Sequence, residues 1–173
     1  MRSTGVIVLS VFAAVWAFLG LHTSGQVLWV QVVPFALSLA LTLAVLIIDR
    51  HAARPTPEDR KRIGRTVMIW SFIEGLAIFA GINVLANIGH NEWTLALIAV
   101  IVGLHFFPLA VGLRVPLYWL TGLGLIGVAA AGVVLVPSGT VQSAAIGVGC
   151  ASVLYLTAVI AIAFAPKPKM VAA

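Results

Sequence analysis

The chain has 173 residues, of which 62% are hydrophobic and only 9% charged, and its mean hydropathy is +1.15. A soluble domain carries about 25% charged residues to coat its surface, so most of this surface faces something other than water, and a soluble enzyme is excluded. The net charge of +5 invites an anionic partner such as nucleic acid, but its distribution along the chain assigns it to topology, and no nucleic-acid binding is expected.

The first apolar segment, "MRSTGVIVLSVFAAVWAFLG", has the outline of a signal peptide, with Arg2 ahead of an apolar core. It lacks a clear A-x-A cleavage site and reads as a retained first helix. Uncharged runs long enough to cross lipid recur after it. They predict an all-α, polytopic fold of six spans at 5–21, 27–48, 67–88, 93–113, 115–136 and 140–165, in one bundle. Between them stand breakers: "HTSGQ", "IGHNE", "LRVP" and "PSGT". The single Cys150 lies in an apolar run and allows no intramolecular disulfide.

The longest loop, "DRHAARPTPEDRKRIGR", contains its own helix-start signal. Thr56 is placed to cap, Pro57 fits the first helical position, and Glu58 and Asp59 suit the positive end of the helix dipole. Span 3 is therefore expected to begin near Pro57, before it enters lipid. All ten Lys and Arg, namely Arg2, Arg50, Arg54, Arg60, Lys61, Arg62, Arg65, Arg114, Lys167 and Lys169, fall at the ends or in the even-numbered loops. The positive-inside rule then places both termini in the cytoplasm. Trp70 and Trp119 on the inner side, and Trp29 and Trp93 on the outer, suit interfacial anchoring.

Within this apolar frame "WSFIEGLAIFAGINVLAN" keeps a carboxylate, Glu74. An ionised carboxyl at mid-membrane costs on the order of 2.5–3.5 kcal/mol on insertion scales. Both Glu74 and His105 lie about 12 Å from the cytoplasmic end of their spans, at 1.5 Å per residue. Spans 3 and 4 are joined by a tight loop and are expected to be antiparallel neighbours, so acid and imidazole meet at one level. Pro108 donates no hydrogen bond to the Leu104 carbonyl, which leaves an acceptor near that imidazole. Ser38, Thr42, Thr121, Ser152 and Tyr155 fall near the same depth, and together these residues predict a polar layer. Either the layer is a hydrogen-bonded cluster that fixes helix packing, or it is a pathway, as ionisable groups in membranes usually imply. Hydroxyls in helices often bond their own i−4 carbonyl, which favours a structural role for Ser38, Thr42, Ser152 and Tyr155.

A second polar group, Asn83, Asn87, His90 and Glu92 with His22 and Gln26 opposite, is expected at the outer end, as a solvated mouth or a vestibule. "GLGLIG" at 122–127 matches a dinucleotide fingerprint but lies inside a span, so it reads as a close-packing surface, as do Gly147, Gly149 and Ala151. Only His105 among the four histidines falls at membrane depth, so a bis-histidine haem is not supplied, and no Cys/His spacing suits zinc. No cofactor or metal is predicted. Ser71 with His105 and Glu74 forms a nucleophile–base–acid set at similar depth, without a nucleophile elbow to support it.

The stretches "WSFIEG" and "IAVIVGLHFFPLA", followed by "RVPLYWLTG", resemble segments of small, uncharacterised multi-pass bacterial membrane proteins carrying G-L-H-F-F-P-L-A. The likeness runs from Trp70 to Gly122. It implies a bacterial cytoplasmic membrane and no particular substrate. The reading that leads is a small transporter or channel, proton-coupled through Glu74 and His105, with Ser71, Tyr155, Ser38 and Thr42 along the pathway and a polar solute or ion as cargo. The alternatives are a non-catalytic scaffold or accessory subunit, and an intramembrane enzyme acting on a lipophilic substrate. The lipid bilayer is the first partner. Homo-oligomerisation, and inverted repeats of three spans each, are compatible with the pattern.

Overall fold

The computed structural model describes residues 2–49 and 56–164. Arg50, Arg54, Lys167 and Lys169, which the charge argument sets on the cytoplasmic side, lie outside the described residues. The fold is all-α: α1 Arg2–Thr23, α2 Leu28–Ile48, α3 Pro57–Asn87, α4 Thr94–Leu113, α5 Leu117–Leu135 and α6 Thr140–Ala163, with a 3-10 turn at Asn91–Trp93 before α4. Six helices among the described residues are long and apolar enough to cross a membrane, and the chain is a multi-pass membrane protein. Large apolar side chains accordingly face outward, Trp29 being 82% and Phe72 73% exposed.

Helix α3 begins where its sequence says it should. Thr56 Oγ1 accepts the Asp59 N–H at 3.1 Å, and Pro57, Glu58 and Asp59 fill the first turn. Its 31 residues span about 46 Å at 1.5 Å per residue, well beyond a hydrocarbon core of about 30 Å. The first turns thus stand clear of the apolar layer at the end of the bundle where Arg60, Lys61, Arg62, Arg65 and Arg114 gather, here called the basic end.

Three helices end in one motif. Past α1, Gln26 and Gly25 donate to the Leu21 and His22 carbonyls at 3.3 and 3.1 Å. Past α3, His90 and Gly89 donate to Leu85 and Ala86 at 2.9 and 3.3 Å. Past α4, Val115 and Arg114 donate to Ala110 and Val111 at 3.0 and 3.3 Å. Each is a Schellman closure, which needs a left-handed residue. Gly25 and Gly89 supply it at φ +68° and +77°, whereas Arg114 adopts φ +56° with a side chain.

Apart from secondary contacts between α6 and both α4 and α2, the helices pack as an arc in the order α2, α1, α6, α5, α4, α3, with the tightest seam between α1 and α6. Ala13, Trp16 and Ala17 of α1 and Ile146, Cys150 and Ala151 of α6 are all buried in one apolar cluster. Backbones touch where side chains vanish: a Cβ on Gly147 would lie 2.6 Å from the Gly20 Cα, and one on Gly122 would lie 2.6 Å from the Gly103 carbonyl of α4. The predicted close-packing surfaces of α5 and α6 are realised in this way, except that Gly127 faces open space. Small residues permit such approach where lipid supplies no hydrophobic drive between helices.

Helix α3 is different. It packs on α4 and the 3-10 turn and makes at most passing contact with α1 and α2. Contacts between Thr66 and Gly112 and between Gly81 and Leu97 fix it antiparallel to α4.

Two stability changes are expected. Gly147→Val forces a side chain into backbone atoms and should cost about 1–3 kcal/mol, as overpacking does. Arg114→Gly relieves a left-handed residue and should add about 1 kcal/mol. Thermal unfolding in detergent reads both, and a Gly147→Val protein as stable as wild type would refute the packing account.

Candidate functional site

The register of α3 on α4 carries Glu74 to His105. The imidazole Nδ1 lies 3.5 Å from Glu74 Oε2 and 3.2 Å from the Trp70 carbonyl oxygen. Trp70 stands one turn before Glu74, so a single stretch of α3 offers both oxygens to one nitrogen. A carbonyl only accepts, so Nδ1 bears the proton that it donates to Trp70. The acceptor expected from the α4 proline kink is thus supplied by the neighbouring helix instead. Both side chains are largely buried, His105 at 9% and Glu74 at 18% exposure.

Unfilled volume flanks this pair. A cavity of about 860 Å³ opens from the basic end, between the starts of α1 and α3 and the ends of α2 and α4, and reaches Ser71, Glu74 and His105. A second cavity of about 240 Å³ continues along α1 and α3 past Glu74. Its walls are apolar, formed by Phe12, Val15, Trp16, Leu19, Ile78 and Ile98. Phe12, Ser71, Glu74 and Val102 border both. The carboxylate therefore stands where the two cavities adjoin. They exist because α3 is held by α4 alone and leaves the α1 side unfilled.

The other residues of the expected layer lie apart from this pair. Tyr155 donates to the Pro34 carbonyl at 2.6 Å and sits 3.0 Å from Ser38 Oγ, while Ser38 donates to the Ser10 carbonyl. This network joins α1, α2 and α6, and its two hydroxyl protons serve three oxygen–oxygen contacts. Thr42 is half-buried on α2. Ser38, Thr42 and Tyr155 line neither cavity. Thr121 and Thr157 pair at 3.0 Å between α5 and α6, and Ser152 bonds its own Val148 carbonyl at 2.8 Å. The network stands on α1, α2 and α6 and the ionisable pair on α3 and α4, so equal depth does not bring them into contact. The buried Ser38–Ser10 bond between helices also departs from the expected i−4 pattern.

At the opposite end, Asn83 donates to its own Phe79 carbonyl at 2.7 Å, and Asn87 closes α3. His90 pairs with Glu92 at 2.9 Å and stacks on Trp93 with ring centroids 5.0 Å apart. These four residues border neither cavity. Ser71 borders both cavities, but among the described residues no hydrogen bond joins it to His105 or Glu74, the contact a base-activated nucleophile requires. No group of three or more potential metal ligands occurs among the described residues. Sequence reasoning missed Phe12, an aromatic on the cavity side of α1 that no polarity pattern marks.

No family model matches this chain, and neither a curated protein nor a solved structure matches it.

The geometry makes a coupling prediction. Glu74→Gln and His105→Gln should be non-additive in stability by about 0.5–1 kcal/mol, because the two side chains share a contact. Tyr155→Phe should cost about 1 kcal/mol for its lost hydrogen bonds and add independently to either. A thermal-unfolding double-mutant cycle in detergent measures both, and strict additivity of the first pair would remove the interaction.

Proposed function

We propose that this protein is a small proton-coupled membrane transporter whose working group is the Glu74–His105 pair. The observation that carries the reading is the position of Glu74 at the junction of two cavities that follow one another along the α1–α3 seam. A pair serving only to fix packing would be enclosed by side chains, and unfilled volume on both sides of the carboxylate speaks for traffic past it. Ionisable groups at membrane depth, turned to a cavity, mark ion and proton pathways more often than structural ties.

The chemistry follows from the tautomer. With Nδ1–H committed to the Trp70 carbonyl, the neutral ring keeps Nε2 as its basic site. A proton taken there makes an imidazolium that neutralises the carboxylate 3.5 Å away, and a proton taken by Glu74 does the same with the ring left neutral. Proton and solute then compete for one carboxylate, the minimal arrangement for exchange. Ser71, on the cavity side of the same helix, offers a hydroxyl to a polar solute bound there.

Solid-supported-membrane recordings of proteoliposomes test this, with concentration jumps of organic cations, amino acids and inorganic anions as probes. Wild type should give proton-gradient-dependent currents with at least one class, and Glu74→Gln should reduce them at least tenfold. Equal currents from Glu74→Gln, or none from either protein with any class, would overturn the reading.

A further inference from the structure

The lining of the two cavities narrows the cargo. The small cavity is walled by aliphatic and aromatic side chains, and among the described residues Ser71 and Glu74 are the ones in its lining that carry oxygen atoms on their side chains. An inorganic cation needs about six oxygen ligands in place of its water, and these two residues do not provide them. A sugar or other multiply hydroxylated solute would lose hydrogen bonds to water without replacement, at a cost of roughly 1–3 kcal/mol per group. An anion would meet the Glu74 carboxylate where the two cavities adjoin. An organic cation with an apolar body satisfies every wall: the body displaces nothing polar, and the charge lies against the carboxylate.

The charges around the site agree. Toward the basic end the large cavity is bordered by Asp49, the residue after α2, and Arg60 of α3, one of each sign. Near the same end α5 contributes Tyr118, beside Gly5 of α1; deeper in, α4 contributes His105, while the α1 lining residues Ser3, Thr4, Gly5, Val8, Leu9 and Phe12 and the α6 residue Leu154 are all uncharged. With the imidazole neutral, Glu74 is, among the described residues, the one charged side chain in the inner part of either cavity. Aromatic residues line the cavities, Phe12 bordering both, Trp16 the small one, Phe106 and Tyr118 the large one. Such rings attract a cation at about 0.5–2 kcal/mol each when water is excluded. A volume of about 860 Å³ lies in the range of about 300–1,000 Å³ that holds drug-sized ligands.

We infer that the cavities bind amphipathic monovalent organic cations, with the positive centre against Glu74 and the apolar body between Phe12 of α1 and the facing side of α3 and α4. The inference rests on the preceding reading for transport, but binding is measurable without it.

Equilibrium dialysis of the full-length protein in detergent, against protein-free micelles, tests the assignment with tetraphenylphosphonium and the similarly shaped anion tetraphenylborate. Saturable binding of the phosphonium to wild type, at least tenfold weaker in Glu74→Gln and retained in Glu74→Asp, is the expected result, with no saturable binding of the borate. Phe12 is 54% exposed, so Phe12→Ala should leave the fold intact and weaken phosphonium binding several-fold, which keeps the test decisive if Glu74→Gln is poorly folded. Equal binding of the two ions, or phosphonium affinity unchanged by both substitutions, would overturn the inference. Phosphonium binding at Glu74 without proton-coupled currents from any probe would uphold it and sink the transport reading. Currents with amino acids or anions alone, and no phosphonium binding, would do the reverse.

Discussion

One nitrogen of His105 is shared between two oxygens of α3, and much of what is particular to this bundle follows from it. A carboxyl group among apolar helices is costly without a hydrogen-bonding or charged partner. Helix α4 supplies that partner, and it is the one long helix on which α3 packs beyond passing contact. The Trp70 carbonyl at 3.2 Å orients the ring, and the carboxylate at 3.5 Å receives its charge when the ring is protonated. Orientation and electrostatics are thus divided between two acceptors one helical turn apart.

The remainder of the molecule is built on the opposite principle. From α1 through α6 and α5 to α4 the seams are closed by absent side chains: Gly20 against Gly147, Gly103 against Gly122, Gly132 under Ile146. Backbone packed on backbone deforms little, because any displacement meets atoms that have no rotamers to yield. Helix α2 is secured to this frame by the Tyr155–Ser38–Ser10 network and the Pro34 carbonyl. Helix α3 has no such tie to α1 and is left with open volume on that side. Stiffness and looseness are therefore segregated, and the ionisable pair sits on the boundary between them.

How far this was legible in the sequence depended on the range of the interaction. Thr56, Pro57 and Asp59 announce the start of α3 because capping involves only residues within four positions of one another, and Gly25 and Gly89 announce two helix ends for the same reason. The Glu74–His105 meeting was readable because a tight loop fixes antiparallel neighbours and equal depth then does the rest. The relation of Tyr155 to Ser38 across α2 and α6 was not, since depth gives the level of a residue but not the helix it faces. That α1 and α6, the first and last spans, form the tightest seam was likewise hidden: the small residues of α6 signalled close packing without naming a partner. Arg114 concealed a Schellman end for the plainer reason that it is not a glycine.

On the transport reading, this segregation gives a way to connect charge with motion. A proton moving between Glu74 and His105, or a cation displacing it, changes the attraction between α3 and α4 at one point midway along their contact. The same change made between α1 and α6 would act on backbones locked together and would move little. Between α3 and α4 it acts on a helix whose α1 side borders both cavities, so on this reading the response is a shift of α3 toward or away from α1. A shift of that kind alters the two cavities in opposite senses only if α3 pivots near Glu74 and does not translate. The bracketing contacts at Thr66–Gly112 and Gly81–Leu97 make pivoting the less disruptive motion, since sliding would break both, whereas a tilt about the central pair strains each slightly. At both brackets a side-chain end, Thr66 Cγ2 or Leu97 Cδ2, and not backbone, meets the glycine, so on this reading each can yield to a tilt with the ionisable pair as its fulcrum.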